Sequence, residues 1–273
     1  MKVVELFAGI GGFRLGLERT GHTVVWANEW DRYAADIYDK NFGGQIDRRD
    51  ITTITPEEVP AHDLICAGFP CQAFSVAGNR RGFDETRGTL FFEIIRIAKY
   101  HKTPYLLLEN VRGLTFHDGG RTFRTILRTF DECGYDAQWQ VCNSRSFGTP
   151  QNRERIFIVG HLRSQPRPKI FPIEPRGRKH AQSDQDQTAF RYPLKFVRRN
   201  QTHITGDYAY TVDTLGSGGV ITAQGIRRLT PIECERLQGF PDDWTLGAVE
   251  RQRYKMMGNA VTVNVVEAIA KRF

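Results

Sequence analysis

Short apolar runs alternate with amphipathic stretches over residues 1–160, and most runs end in glycine, proline or a polar turn. Lys2 to Phe7 reads as a strand, followed at once by Ala8-Gly9-Ile10-Gly11-Gly12. A helix carrying Phe13, Leu15 and Leu17 then stops at Gly21. Thr23 to Ala27 is a second strand ending at Asn28-Glu29-Trp30, with a helix from Asp31 to Tyr38 behind it. Thr55-Pro56-Glu57-Glu58 has the threonine cap, first-turn proline and later glutamate of a helix start. Leu64 to Ala67 is a buried strand that Gly68 and Pro70 end abruptly. Thr89 to Tyr100 is a helix with Leu90, Phe91, Ile94, Ile95 and Ala98 on its buried face. Tyr105 to Leu108 is another buried strand, and Arg121 to Cys133 a helix closed by Gly134. Tyr135, Ala137, Trp139 and Val141 alternate strictly, as in a half-exposed antiparallel strand. Gln151 to Arg155 then runs into a last strand, Ile156 to Val159, with the arginines at alternate positions sharing one face.

The pattern breaks after Gln165. Pro166, Pro168, Pro172 and Pro175 crowd together, and Gln182 to Thr188 is polar without period, so a domain boundary falls here. The segment to Gln224 leans towards strand, with Thr214-Leu215-Gly216-Ser217-Gly218-Gly219 as a hairpin or loop. Thr230-Pro231-Ile232-Glu233 repeats the capped helix start, and Gly239 and Pro241 end that helix. Gly258-Asn259-Ala260-Val261 turns into a final helix over Thr262 to Arg272.

Charge sharpens this division. The net charge is +7, and residues 163–199 hold ten Lys or Arg against Glu174, Asp184 and Asp186, leaving the rest neutral. A localised basic excess interleaved with Phe171, Phe190, Tyr192 and Phe196 suits a polyanion such as nucleic acid. The 273 residues are 40% hydrophobic and 25% charged, ordinary for a globular protein, with no apolar run long enough for a membrane span. The amino terminus shows no secretory signal, and the five cysteines form no CxxC pair. We therefore expect a cytoplasmic protein with no disulfide framework and no metal site.

Three positions carry candidate chemistry. Strand, glycine turn, helix and strand, with Glu29 twenty residues after Gly9, is the layout of a nucleoside-binding α/β unit. Glu29 suits two ribose hydroxyls, the Trp30 ring an adenine, and Asp50 an adenine amino group. Cys71 sits on a loop at the carboxyl end of a strand, where a thiol serves as nucleophile, metal ligand or packing. Glu109 follows four apolar residues to the same edge, as a general acid or as one half of an ion pair.

The order of these motifs resembles the C5-cytosine DNA methyltransferases of bacterial restriction–modification systems, over nearly the whole chain. Phe7-Ala8-Gly9-Ile10-Gly11-Gly12 resembles that family's cofactor loop, Gly68-Phe69-Pro70-Cys71-Gln72 its nucleophile motif, and Glu109-Asn110-Val111 its acid motif. Gln151-x-Arg153-x-Arg155 resembles the base-binding motif. Leu229-Thr230-Pro231 through Gln238-Gly239-Phe240-Pro241 resembles the segment supporting the recognition domain, and Gly258-Asn259-Ala260-Val261 the closing cofactor motif. Thr262 stands where relatives often have proline, Ala77 where they often have a hydroxyl residue, and the variable region is short, implying a short target.

The resemblance implies an α/β fold of the S-adenosylmethionine-dependent, Rossmann-like type, a mixed sheet with helices on both faces, plus a smaller β-rich target-recognition domain. It implies a discontinuous catalytic and cofactor domain (1–165 and 252–273) around a recognition domain (166–251). Cys71 would add to cytosine C6, Glu109 hold N3, Arg155 donate to O2, Arg153 hold a nearby phosphate, and the Phe69 carbonyl accept from the base's amino group. S-adenosylmethionine, leaving as S-adenosylhomocysteine, would contact Phe7, Gly9, Ile10, Gly11, Glu29, Trp30, Asp50, Ile51, Pro70, Leu90, Asn259 and Val261. Duplex DNA, with its target base flipped out, would meet Gln72, Ser75, Arg80, Arg81, Gln151, Thr214 and Leu215. A monomer is expected, of bacterial, archaeal or phage origin, with a restriction endonuclease of the same target as candidate partner and no fused domain ahead of the cofactor loop. Competing readings are a tRNA cytosine methyltransferase, a catalytically idle DNA-binding relative and, from the glycine loop alone, a nicotinamide dehydrogenase.

Overall fold

The apolar runs become the strands of one six-stranded sheet in the computed structural model, which describes residues 1–44, 46–70, 90–174, 195–198, 204–205, 208–216, 218–222 and 225–273. Its elements are β1 (Lys2–Leu6), α1 (Gly12–Glu18), β2 (Thr23–Asn28), α2 (Arg32–Phe42), β3 (Leu64–Gly68), α3 (Leu90–His101), β4 (Tyr105–Val111), α4 (Arg121–Glu132), β5 (Tyr135–Asn143), β6 (Gln151–Asn152) and β7 (Glu154–Leu162). The sheet runs β2-β1-β3-β4-β7-β5, parallel through β4, with β7 antiparallel to both neighbours. Strand order reverses between β1 and β3, the place where open α/β sheets leave a crevice for ligands.

Alternation along the strands divides their side chains between two cores. Val3, Leu64, Cys66, Leu107 and Val159 face Phe13 and Leu17 of α1, together with Val265, Val266 and Ile269 of a C-terminal helix. Val4, Ile65, Leu106, Leu108, Ile156 and Ile158 face Ile94, Ile95 and Ala98 of α3 and Ile126 and Phe130 of α4. Helices thus cover both faces, as the resemblance implied.

Beyond β7 the chain first runs back over the edge strand. The Gln140 side chain pairs with both backbone groups of Ile173, at 2.8 and 3.0 Å, and Gln138 accepts from Ile170 and Phe171. A second, antiparallel sheet follows, in which Gly225–Arg228, Gly218–Thr222, Lys195–Arg198 and Ile204–Thr205 lie side by side in that order. It comprises β8 (Lys195–Arg198), β9 (Ile204–Thr205), β11 (Gly218–Thr222) and β12 (Gly225–Arg228), while β10 (Ala209–Tyr210) pairs instead with β6. Helices α5 (Pro231–Leu237), α6 (Glu250–Asn259) and α7 (Val263–Ala270) then return to the large sheet. A third core joins the parts: Ile10, Ala34 and Ile37 pack with Val212, Leu237, Phe240, Trp244 and Met257.

Local differences from the sequence reading have local causes. The Thr55 capping box forms, but its helix is one turn, Pro56–Glu58, because Val59 precedes Pro60 and stays extended. Helix α2 runs on to Phe42 and stops at left-handed Gly43. Strand β4 continues past the apolar run through Glu109 and Asn110 to Val111, so the carboxylate projects from the strand itself. Among the described residues no helix is long and apolar enough to cross a membrane.

One buried acid gives the fold a pH dependence. Glu5 of β1 is fully buried, accepting from Tyr38 Oη at 2.9 Å and the Arg14 backbone N–H at 3.3 Å. Burial outweighs those bonds and pushes its carboxyl from 4.5 up to about 8. Between these values the unfolded chain releases the proton while the folded chain keeps it, so stability falls as pH rises through that window. Glu5→Gln is expected to flatten this fall, read from denaturant midpoints of both proteins at pH 5, 7 and 9.

Candidate active site

The carboxyl ends of β1 to β4 and the amino end of β7 open onto one cavity of about 370 Å³, within the usual range for a small-molecule site. Antiparallel β7 matters here, because its start lies at the same edge as the ends of the parallel strands. Phe7, Gly9 and Ile10 line the cavity after β1, Glu29 and Asp31 after β2, Gly68 to Pro70 from the last residue of β3 onward, and Glu109 to Val111 at the end of β4. Arg153 and Arg155 complete one wall, and the end of α6 through Val261 closes the other.

The glycine turn fits a nucleoside cofactor. Phe7, Gly9 and Gly11 all have left-handed backbones, at φ 53°, 56° and 85°. A Cβ on Gly11 would sit 2.2 Å from the Phe42 ring, whereas one on Gly9 would meet nothing within 4 Å, leaving that backbone open to a ligand. Glu29 is held by two backbone donors, Gly9 N–H at 2.9 Å and Asp31 N–H at 2.8 Å, and retains lone pairs for hydroxyl donors. Its burial raises the carboxyl above the usual range despite those bonds. Pro70, Asn259 and Val261 share the cavity wall. Gly11, Trp30, Asp50, Ile51 and Leu90 do not line it. Trp30 is 70% exposed next to Glu29. Asp50 is turned to its own chain, capping Thr52 N–H at 3.0 Å, and Ile51 is buried in the core beside α3. Leu90 opens α3 and packs on that same core.

The carboxylate and guanidinium expected at one ring are together. Glu109 Oε1 lies 3.1 Å from Arg155 Nε, both side chains nearly buried. Burial raises the Glu109 carboxyl, with Arg155 and then Arg153 opposing. Asn110 Nδ2 donates to the Phe69 carbonyl at 2.7 Å, fixing that oxygen and leaving it one lone pair for another donor. Cys71, Gln72, Ser75, Arg80 and Arg81 lie outside the described residues, but Pro70, which precedes Cys71, lines the cavity. Cys66 offers no alternative thiol, because it is fully buried inside the sheet, which pushes it far above its usual value.

Two expected contacts to nucleic acid are corrected. Arg153 does not stand free for a phosphate. It lies between β6 and β7, buried, with Nη1 donating to Val212 O and Nη2 to Gly258 O and Ala260 O. Gln151 is fully buried and does not face a base, since Nε2 donates to Leu237 O at 2.8 Å and Oε1 accepts from Val212 N–H at 2.9 Å. Thr214 and Leu215 are exposed, and their loop lies hard against α6, where a Cβ on Gly258 would come 2.4 Å from Thr214 N.

The sequence pattern of the family described as C-5 cytosine-specific DNA methylase matches residues 1–215 and 178–273, which together span the chain. The chain belongs to that family. The methylase is 41% identical over 295 residues to type II methyltransferase M.NgoBI of Neisseria gonorrhoeae, covering 99% of this chain and 92% of that one. It is also 41% identical to M.HaeII of Haemophilus aegyptius (98% and 91% covered) and 34% identical to M.HhaI of Haemophilus parahaemolyticus (99% and 93% covered). Among solved structures, the S. pombe Dnmt2 methyltransferase superposes with a TM-score of 0.73 at 20% identity, over 98% of this chain and 96% of that one, a likeness of fold.

Sequence reasoning missed a charged pair at the methylase's cavity. Lys255 Nζ meets Asp31 Oδ2 at 2.7 Å, and both residues line the wall, bridging the start of α2 to α6. Lys255 and Asn259 are one helical turn apart on α6, a spacing that would have flagged the lysine had that helix been expected. Trp244 was missed as well. Its Nε1–H donates to Ile10 O at 3.0 Å and braces the glycine turn from behind.

Proposed function

We propose that the methylase transfers a methyl group to C5 of a flipped-out cytosine in a short duplex DNA sequence, as the modification half of a restriction–modification pair. The observation that supports this best is the buried Glu109–Arg155 pair beside the Phe69–Pro70 backbone, on the same cavity as Gly9 and Glu29. The residues present fit S-adenosylmethionine: Gly9 leaves room for backbone contact, Glu29 has acceptor capacity for the ribose, and Asn259, Val261 and Pro70 complete the wall. When bound, that group supplies an electrophilic methyl on a sulfonium.

The chain's residues then make C5 reactive. The Cys71 thiolate adds to C6, forming a carbon–sulfur bond and pushing the ring's electron pair towards N3 and C5. Glu109, whose carboxyl burial raises against the opposing charges of Arg155 and Arg153, donates to N3 in its protonated form, and the Arg155 guanidinium donates to O2, so the charge is dispersed as it develops. The Phe69 carbonyl, held by Asn110, accepts from the exocyclic amine. After C5 gains its methyl, loss of the C5 proton to a base expels the thiolate and restores the ring. We further assign recognition to residues within 174–228, because Ile170 to Ile173 pack on the large sheet and Trp244 on the glycine turn, and we assign DNA contacts to Thr214, Leu215, Gln72, Ser75, Arg80 and Arg81. We take the methylase to be a monomer acting in the cytoplasm, with an endonuclease of the same target as its partner.

Methyl transfer from labelled S-adenosylmethionine to duplex DNA and to total tRNA, followed by bisulfite mapping of the DNA, tests the reading. The expected result is label in DNA at cytosines of one short context. Label in tRNA alone, or in neither polymer, contradicts it.

A further inference from the structure

Val212, at the foot of the exposed Thr214–Leu215 loop, is gripped through both of its peptide groups by residues two apart. Its N–H donates to Gln151 Oε1 at 2.9 Å, and its carbonyl accepts from Arg153 Nη1 at 3.2 Å. Neither grip is loose. Gln151 Nε2 is anchored on Leu237 O at 2.8 Å and Gln238 Oε1 at 3.2 Å, and Arg153 Nη2 on Gly258 O at 3.0 Å and Ala260 O at 2.8 Å. β6 pairs in parallel with β10, and Thr211 Oγ1 donates to Asn152 O at 2.7 Å, so the two segments run side by side. Two residues beyond Arg153, Arg155 holds Glu109. One five-residue stretch, Gln151 to Arg155, therefore fixes the loop at one end and the cavity carboxyl at the other.

We propose that Gln151 and Arg153 are positioning residues for sequence selection, a clamp that sets the register of the 212–215 loop against the base cavity. This role rests on the DNA methylation reading given above. Leu215 is 78% exposed and Thr214 is exposed beside it, so a shift of the loop moves both at the surface assigned to DNA, while Arg155 keeps its bonds to Glu109 and Glu154 O; Arg153 also lines the cavity, so Gln151, which does not, isolates the loop's part. Loss of the clamp then blurs which bases flank the methylated cytosine more than it slows methylation overall. Buried hydrogen bonds suit this task, because they are directional and costly to leave unmade.

The test compares Gln151→Leu, Arg153→Met and the milder Thr211→Val with the unaltered full chain on a randomised duplex library, scoring methylation at the cognate context against single-mismatch contexts. The cognate preference in kcat/KM is expected to fall about tenfold in the first two and about threefold in Thr211→Val, within the ~1–3 kcal/mol that one base pair of discrimination carries. Cofactor affinity and thermal melting, measured alongside, identify variants that fail to fold. If Gln151→Leu and Arg153→Met do not fold, Thr211→Val decides. An unchanged preference in every variant that folds, or activity falling evenly at all contexts, overturns the clamp. If the unaltered protein methylates no duplex, the underlying reading fails instead, and the two failures are distinguishable.

Discussion

Glu109→Gln is expected to lower kcat by about 10²–10⁴-fold, the usual contribution of a positioned proton donor. The amide keeps the volume and still donates an N–H towards N3, but it cannot hand over a proton as the thiol adds. Its pH signature separates this role from packing. Burial holds the wild-type carboxyl protonated above its ordinary range, so the active form persists at low pH and is lost as pH rises through the raised value. The alkaline fall in kcat/KM should therefore be present in the wild type and absent from Glu109→Gln, whose side chain does not titrate. Initial rates of methyl transfer from pH 5 to 10 measure both effects. A variant with near-normal rates, or one that keeps the alkaline fall, would remove Glu109 from the chemistry. Arg155 should keep its orientation in the variant through its bond to Glu154 O at 2.8 Å.

Cys71→Ser should cost still more, on the order of 10³-fold or greater, because a hydroxyl is a far weaker nucleophile than a thiolate at neutral pH. Duplex binding should survive, since the side chains assigned to DNA (Thr214, Leu215, Gln72, Ser75, Arg80 and Arg81) are all retained. The four described cysteines give no route around the loss. Cys66, Cys142 and Cys234 are buried and Cys133 half-buried, burial pushes all four thiols above their usual value, and none lines the cavity. Gel shift and single-turnover methylation on one duplex read the two quantities separately.

Much of the site was legible where a chemical requirement shows as a local pattern. An apolar strand, a glycine turn and an acid at the next strand end located Phe7 to Gly11 and Glu29, because the turn needs left-handed backbone and Gly11 has no space for a side chain. Four apolar residues delivering Glu109 located the buried carboxyl for the same kind of reason. Arg153 shares the cavity wall with Arg155 as the alternate spacing implied, but its guanidinium was misread as free for a phosphate when three backbone carbonyls hold it. Its partners are backbone carbonyls from distant segments, which leave no mark in the sequence. Helix α6 escaped notice because Glu250 to Asn259 is mostly polar and lacks a strong apolar period, so Lys255 went with it. Asp50 carries a second role that the sequence reading did not give it, since its Oδ1 caps the Thr52 N–H at 3.0 Å.

The covalent step at Cys71 is the centre of the account, and a duplex carrying 5-fluorocytosine at the mapped target tests it most directly. After thiolate addition and methyl transfer, C5 of that base has no proton to lose, so the carbon–sulfur bond should persist. Incubation with S-adenosylmethionine is expected to give a denaturation-resistant protein–DNA adduct whose mass includes one methyl group and whose linked peptide contains Cys71. Methylation of ordinary cytosine without any such adduct, or an adduct at another residue, would contradict the account.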